Sequence, residues 1–243
     1  MPADELNVLA SASIPDPAAF LMQSEPELEG RMPWSSNATF LVTMRCGDVD
    51  QRAIYKPVRG ERPLWDFEPG LHRRERAGYL LSEYLGIGAV PPTVIRDGPL
   101  GEGSFQWFVD ADHAEHYFTI YERFEHLHDR LREIAVLDIL ANNTDRKSGH
   151  CLLAHERVWA IDNGLCFSAP YKLRTVIWEF GGDEIDDDLM ERVSQLAERI
   201  PGDIATLLGE QEIEAMRHRA LALVRERVLP DDEAGHRYPW PMV

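Results

Sequence analysis

The stretch Ala141–Phe167, ANNTDRKSGHCLLAHERVWAIDNGLCF, is the most informative part of this sequence. It contains a polar turn at Asn142–Arg146, a short apolar run at Cys151–Leu153, a second turn, and a second apolar run that ends at Asp162–Gly164. Two short apolar runs separated by a tight turn predict a β-hairpin. The stretch therefore places one acid on a loop before the hairpin and a second acid where the hairpin ends.

These two acids, Asp145 and Asp162, suit phosphoryl transfer. That reaction uses one carboxylate to orient and deprotonate the attacking hydroxyl, and another to hold a metal ion that bridges the nucleotide phosphates. Each acid also fits an ordinary turn, because Asn and Asp side chains bond their own backbone and tolerate left-handed dihedral angles. Other parts of the chain have to decide between the two interpretations.

The composition limits the classes of protein to consider. A chain of 243 residues with 44% hydrophobic and 28% charged residues is globular, with one large domain or two small ones. Its formal net charge of -17 disfavours nucleic acid and anionic membranes as partners, because both require a basic surface. Three cysteines without a C-x-x-C motif predict neither a disulfide framework nor a zinc site.

Those cysteines suit a reducing compartment. No apolar run is long enough to span a membrane, and the acidic start Met1–Glu5 does not have the pattern of a signal peptide. We therefore expect a cytoplasmic protein without stable membrane association.

The residues that precede the hairpin stretch predict a small antiparallel sheet with one helix. From Glu27 to Lys56, β-branched and aromatic residues alternate with polar ones between turn formers, which predicts three strands. Helical spacing of apolar residues follows at Leu71–Leu85. Two more strands are predicted at Val90–Ile95 and Ser104–Val109, separated by a glycine-rich turn.

Several residues of this first half are candidates for phosphate binding. Lys56 lies late in the third strand, and Glu75 lies early in the helix, where an acid can pair with a phosphate-binding lysine. The turn that contains Ser35, Ser36 and Asn37 can cover phosphates with its backbone N–H groups and hydroxyls. A solvated lysine, a surface acid and a plain hairpin turn are the structural alternatives.

The second half of the chain predicts a helical unit around the hairpin. Tyr117–Phe124 is apolar and β-prone, which predicts a hinge strand whose backbone at Tyr121 and Glu122 binds adenine. A generic core strand would look the same. The helix at Leu131–Ala141 is nearly all apolar and should be buried. Further helices are predicted at Leu189–Arg199, Asp203–Leu208 and Glu210–Val228.

The order of elements predicts an α+β, bilobal protein-kinase-like fold. Its N-lobe would be an antiparallel sheet plus one helix, and its C-lobe would be mainly helical with a catalytic β-hairpin. The predicted organisation is a lead-in at 1–26, the N-lobe and hinge at 27–124, the C-lobe at 125–230, and a tail at 231–243.

Seven motifs, taken in chain order, resemble the phosphatidylinositol 3/4-kinase-like superfamily. They are SSNATF, YKP, RERAGYLL, VPPT, GSFQWFV, NTDR and AIDNGLCF. The sequence is most similar to the type II phosphatidylinositol 4-kinases and to small bacterial proteins of unknown function related to them. HipA-type toxin kinases are a more distant resemblance. The similarity covers Glu27–Phe167 and weakens towards the C-terminus.

The resemblance implies roles for the residues of the first half. Lys56 would contact the α- and β-phosphates of ATP, and Glu75 would pair with it. Ser35 and Ser36 would belong to the loop that covers the phosphates.

The resemblance also implies that Asp145 is the catalytic-loop acid and that Asp162 holds the metal, Mg²⁺ or Mn²⁺. One residue departs from the pattern. Kinase catalytic loops carry a metal-binding Asn five residues after the catalytic Asp, and His150 stands at that position. Imidazole suits Mn²⁺ or Zn²⁺ better than Mg²⁺, whose preferred ligands are oxygens.

The sequence therefore predicts an ATP-dependent phosphotransferase that moves the γ-phosphate to a hydroxyl of an unidentified protein or small molecule. The chain has neither a basic amphipathic helix nor a cluster of palmitoylatable cysteines, which argues against a lipid acceptor. Two alternatives stay open. One is a catalytically silent nucleotide-binding regulator, which the presence of His150 favours, and the other is a kinase-like enzyme that transfers AMP.

Overall fold

The computed structural model describes residues 14–32 and 37–243. It divides into two compact units. The first unit takes the chain up to Arg76 together with Pro91–Asp110, and the second takes Ala77–Val90 and Ala111–Val243. The predicted α+β class is confirmed, since the first unit is built on an antiparallel sheet and the second is mainly helical.

The first unit contains a five-stranded antiparallel sheet with the strand order β1-β2-β3-β5-β4. The predicted three-strand meander and the following two-strand pair are therefore confirmed. The strands are β1 at Glu25–Arg31, β2 at Phe40–Cys46, β3 at Val49–Pro57, β4 at Thr93–Gly98 and β5 at Gly101–Trp107.

One face of this sheet is covered by a short helix, α1 at Pro17–Gln23, whose Leu21 is fully buried. Tyr55 on β3 and Phe105 on β5 stack beneath it with ring centroids 4.3 Å apart. Because successive side chains of a strand alternate between faces, Lys56 lies on the opposite face from Tyr55. The sheet therefore presents Lys56 on the face that does not carry this core.

Helix α2 spans Leu71–Tyr84, as the apolar spacing predicts, and the division between the two units falls within it. The second unit buries one large apolar core. Its other elements are α3 at Tyr117–Arg123, α4 at His128–Ala141, β6 at Cys151–Ala154, β7 at Arg157–Ala160, α5 at Asp187–Glu198, α6 at Gly202–Ala205 and α7 at Glu210–Glu226.

The predicted hairpin is confirmed as the antiparallel pair β6 and β7. Its turn residues His155 and Glu156 both have positive φ angles, as a two-residue type I′ turn requires. The helix predicted at Asp203–Leu208 is shorter than expected, because α6 ends at Ala205. Among the described residues, no helix has the length and apolar character needed to cross a bilayer.

The strand predicted at Tyr117–Phe124 is wrong, because this segment forms helix α3. Tyr117, Ile120, Tyr121 and Phe124 follow the i, i+3, i+4, i+7 spacing of a helical face, and Tyr117 and Ile120 are fully buried. Thr119 also completes a capping interaction by accepting the backbone N–H of His116 at 2.9 Å. The β propensity of the aromatic residues was outweighed by burial of this face.

Candidate active site

An ion pair between Asp138 and Arg146 anchors the loop that follows helix α4. Both side chains are buried, with exposures of 1% and 0%. The Arg146 Nε lies 3.1 Å from each carboxylate oxygen of Asp138, and its Nη2 donates to Asp138 Oδ1 at 2.9 Å. Such a bidentate, charge-assisted contact fixes both partners in orientation as well as in distance.

The same guanidinium reaches the end of the hairpin. Arg146 Nη1 donates to the carbonyl of Ile161 at 2.6 Å, and Nη2 donates to Asn163 Oδ1 at 2.8 Å. Burial alone would lower the pKa of Arg146, but the adjacent Asp138 carboxylate outweighs it and the pKa is raised. A permanently charged guanidinium therefore ties the residues on both sides of Asp162 to helix α4.

Asp145 lies next to this anchor and is partly exposed, with a side-chain exposure of 25%. Its backbone N–H donates to Asn143 Oδ1 at 3.0 Å, which fixes the turn. Lys147 Nζ donates to Asp145 Oδ2 at 2.7 Å. The carboxylate is thus partly accessible and is contacted by the ammonium group of Lys147.

Asp162 follows β7 and adopts a left-handed backbone conformation with φ of 59°. Its side chain is 51% exposed, and its Oδ2 lies 3.5 Å from His150 Nε2. A non-glycine residue held at positive φ is uncommon, and such residues cluster at functional sites. The structure therefore brings together His150 and Asp162, which the sequence predicts as metal ligands.

Burial lowers the pKa of His150. The carboxylates of Asp162 and Asp145 oppose this effect, whereas Arg146 and Lys147 add to it. The imidazole is therefore neutral near pH 7. Its Nδ1 accepts the backbone N–H of Lys147 at 3.4 Å, and its Nε2 faces the Asp162 carboxylate. Asp145 on the loop and Asp162 after the hairpin both influence the pKa of His150, so the ring lies in the field of both acids.

The donor set at this position is small. Within residues 14–32 and 37–243, no group of three or more His, Cys, Asp or Glu side chains is arranged to hold a metal ion. One carboxylate and one neutral imidazole suit Mn²⁺ better than Mg²⁺, because Mg²⁺ prefers oxygen ligands. A metal ion held by these two residues would need its remaining ligands from outside the protein.

In the first unit, Lys56 and Glu75 form an ion pair, with Lys56 Nζ donating to Glu75 Oε1. The lysine side chain is 22% exposed, whereas the glutamate is buried. A buried carboxylate behind a partly exposed lysine fixes the direction of the ammonium group. The pairing expected from the sequence is present, and it leaves the lysine accessible.

The remaining candidates for nucleotide binding are Ser35, Ser36, Asn37, Tyr121 and Glu122. Ser35 and Ser36 lie outside the described residues. Asn37 uses its side-chain oxygen to accept the backbone N–H of Arg62 at 3.0 Å, so it stabilises a neighbouring loop. Tyr121 and Glu122 belong to helix α3, which removes the basis for an adenine contact through an extended backbone.

Sequence reasoning missed two residues of this site. Asp138 is the one acid in the apolar C-terminal half of α4, and a buried acid requires a cationic partner. Arg146, at the end of the polar turn that follows α4, supplies this charge. Lys147 gave a weaker signal, because a lysine two residues from an acid on a loop is common at protein surfaces.

Comparison with known proteins identifies one clear relative by sequence. No protein-family model matches the chain. Protein Rv2133c of Mycobacterium tuberculosis is 38% identical in an alignment 264 positions long, which covers 93% of this chain and 95% of that protein.

Two solved structures show the fold. The Golgi casein kinase with Mn/ADP bound matches with a TM-score of 0.54 and 14% identity, over 98% of this chain and 81% of that chain. The hydra Fam20 structure with sugar matches with a TM-score of 0.55 and 12% identity, over 89% and 91% of the two chains. At these identities the similarity establishes a kinase-like fold and nothing narrower.

Proposed function

Because the chain belongs to the family of Mycobacterium tuberculosis protein Rv2133c and has a kinase-like fold, we propose that it is an ATP-dependent phosphotransferase. It would move the γ-phosphate of ATP to a hydroxyl of a protein or small-molecule acceptor. Asp145 would orient the acceptor, and Asp162 with His150 would hold a divalent metal. Lys56, backed by Glu75, would contact the α- and β-phosphates.

The observation that carries this proposal is that one buried arginine, Arg146, holds the backbone around both Asp145 and Asp162. The Asp138–Arg146 ion pair anchors the loop that contains Asp145, and the same arginine binds both neighbours of Asp162. A turn that served only to connect helix α4 to strand β6 would not need a buried, bidentate arginine. This arrangement instead supports two carboxylates that must keep their positions while charge develops during a reaction.

The chemistry assigned to Asp145 is that of a positioning base. Its carboxylate would accept the proton of the acceptor hydroxyl as the new bond between oxygen and the γ-phosphorus forms. The bond between that phosphorus and the β,γ-bridging oxygen breaks, and its electron pair leaves on ADP. Lys147, which lies 2.7 Å from Asp145, would offset negative charge on the transferred group.

The remaining contacts concern the nucleotide. A metal held by Asp162 and His150 would neutralise charge on the phosphate oxygens. The Golgi casein kinase neighbour has Mn/ADP bound, and the nitrogen and oxygen donors of this pair also favour Mn²⁺ over Mg²⁺. In the first unit, the buried Glu75 carboxylate would keep the Lys56 ammonium oriented towards the phosphates.

The proposal places the reaction in the cytoplasm, which supplies ATP and keeps thiols such as Cys151 and Cys166 reduced. We also propose that the chain is related to the type II phosphatidylinositol 4-kinases, which its motifs resemble. We do not propose a lipid acceptor, because the sequence has neither a basic amphipathic helix nor a cluster of palmitoylatable cysteines. A formal net charge of -17 also argues against nucleic acid as acceptor.

His150 favours a second candidate, a regulator that binds nucleotide without transferring phosphate. A buried, neutral imidazole replaces the oxygen ligand that kinases use for their second metal ion. If that exchange weakens metal binding, the pocket would retain ATP without turnover.

One experiment separates these functions. The purified chain is incubated with α- or γ-labelled ATP and with Mg²⁺ or Mn²⁺, and ADP, pyrophosphate and labelled protein are measured. The proposed kinase releases ADP, fastest with Mn²⁺. Saturable ATP binding without any product would favour the silent regulator, and α-label retained on protein would indicate AMP transfer. No binding and no product would refute both the kinase and the regulator.

A further inference from the structure

A cavity lies in the second unit, and the residues assigned to phosphoryl transfer do not line it. It has a volume of about 640 Å³ and is lined by helix α4, the segment 171–182, helix α7 and the residues that follow α7. This volume is within the range of small-molecule sites in proteins.

The cavity combines an apolar interior with one buried cation. Its lining atoms are mainly apolar and include the buried side chains of Ile139, Leu223 and Leu229. Arg219 of α7 also lines it and is only 9% exposed. Arginine is almost never this buried unless it is paired, so the contacts of its guanidinium need to be followed.

Arg219 is incompletely satisfied within the protein. Its Nε donates to the carbonyl of Leu140 at 2.9 Å. Its Nη2 is buried, and in the described part of the chain no acceptor lies within hydrogen-bonding distance of it. Burial lowers the pKa of Arg219 to about 10, and Cys166, Tyr171 and Glu212 offset this only in part. A buried donor without a partner is costly, and an added acceptor would remove that cost.

We propose that this cavity binds an amphipathic monocarboxylate, with its carboxylate on Arg219 and its apolar chain against the aliphatic interior. A carboxylate matches the forked donor geometry of a guanidinium. The aliphatic lining gives a hydrocarbon chain a place to be removed from water.

The charges at the rim limit the ligand to a single negative charge. Glu226 and Asp231 line the cavity and are exposed. Their carboxylates would repel a ligand that carries a second negative group, such as a phosphate or a dicarboxylate. His218, also exposed at the rim, lies 3.3 Å from the carboxylate of Glu214 and does not reverse this balance.

Decanoate is a suitable probe. Binding to the intact chain is measured by isothermal titration calorimetry at neutral pH, below the micellar concentration, beside 1-decanol and decyltrimethylammonium. Decanoate should bind saturably and about tenfold or more tightly than either, as expected for a charge-assisted pair. Equal or tighter binding of decanol or of the cation, or no saturable binding of decanoate, would overturn the proposal.

Variants locate the site. Arg219→Gln should weaken decanoate binding about tenfold or more, whereas Arg217→Gln, on the same helix but outside the cavity lining, should leave it unchanged. Ala222→Trp fills the cavity from an exposed position and keeps the contact between Arg219 and Leu140, so it should also abolish binding. If Arg219→Gln does not fold, as judged by circular dichroism, Ala222→Trp decides alone. Wild-type affinity in Ala222→Trp would refute the site.

Discussion

The imidazole of His150 lies 3.5 Å from the Asp162 carboxylate, and burial keeps it neutral. An Asn at this position would present an amide oxygen, the type of ligand that Mg²⁺ prefers. We therefore predict that His150→Asn raises the ratio of activity in Mg²⁺ to activity in Mn²⁺ about tenfold, as changes around a metal site typically do. Initial rates of ADP release in each metal measure this ratio.

The matched control is His155→Asn in the exposed turn of the same hairpin. His155 has a positive φ that Asn tolerates well, so the fold should be unaffected. An unchanged metal ratio in His150→Asn would show that this side chain does not contact the metal.

Glu75 supplies a buried carboxylate to the Lys56 ammonium. Glu75→Gln keeps the shape of the side chain but removes its charge, so the lysine loses its orienting partner. We predict that kcat/KM for ATP falls about tenfold or more, the range expected for a charge-assisted hydrogen bond. Glu83→Gln on the same helix, at an exposed position, is the control. A wild-type kcat/KM in Glu75→Gln would rule out the assigned role of this pair.

At the scale of elements, the Asp138–Arg146 ion pair joins helix α4, the loop and the end of the hairpin. Asp138→Asn leaves a buried guanidinium without its counter-charge, which costs about 3–5 kcal/mol in comparable pairs. We predict a loss of that size in the free energy of unfolding, measured by urea denaturation followed by circular dichroism.

The control for this change is Glu133→Gln on the same helix, whose partner Arg130 is 45% exposed. Exposed pairs contribute about 0–1 kcal/mol, so this variant should be close to wild type. Equal stability of the two variants would mean that the buried network does not hold these elements together.

Helix α2 contains Gly78 at a point where it packs against the residue after Asp162. A Cβ added at Gly78 would lie 2.9 Å from the Cβ of Asn163, which is too close for two carbon atoms. Gly→Ala within a helix normally stabilises by about 1 kcal/mol. Here we predict a net loss of about 1–3 kcal/mol in the free energy of unfolding, because overpacking must displace Asn163.

Thermal and urea unfolding of Gly78→Ala measure this effect. Gly202→Ala is the control, since an added Cβ there would have no neighbour within 4 Å. Stabilisation of Gly78→Ala, as helix propensity alone would give, would contradict the close contact with Asn163.

The elements that the sequence predicted well are those with an unambiguous local pattern. The hairpin at Cys151–Ala160 has short apolar runs around a polar turn, and α2 has helical spacing and a glycine stop. Tyr117–Phe124 was misassigned because its aromatic residues favour strands, whereas burial of Tyr117 and Ile120 is satisfied only by a helix. The helical i, i+3, i+4, i+7 spacing of this segment was a competing local signal, and burial of that face decided in its favour.

For the molecule as a whole, the order of motifs was enough to predict the α+β class and the kinase-like fold. The candidate site was predicted less completely. Asp145, Asp162 and His150 stand at motif positions, but the role of Asp138 depends on a partner eight residues away that only folding brings into contact. An acid in an otherwise apolar helix predicts that it has a cationic partner, but the sequence does not identify which residue that partner is.

The most direct test of the proposed phosphotransferase compares wild type with Asp145→Asn in ADP release from ATP with Mn²⁺, with Asp188→Asn as an exposed-acid control. General-base catalysis typically contributes about 10²–10⁴-fold to a rate. We predict that wild type and Asp188→Asn turn over ATP equally, and that Asp145→Asn is slower by about 10²-fold or more while its circular dichroism is unchanged. Equal rates in all three proteins, or no turnover in wild type, would contradict the account.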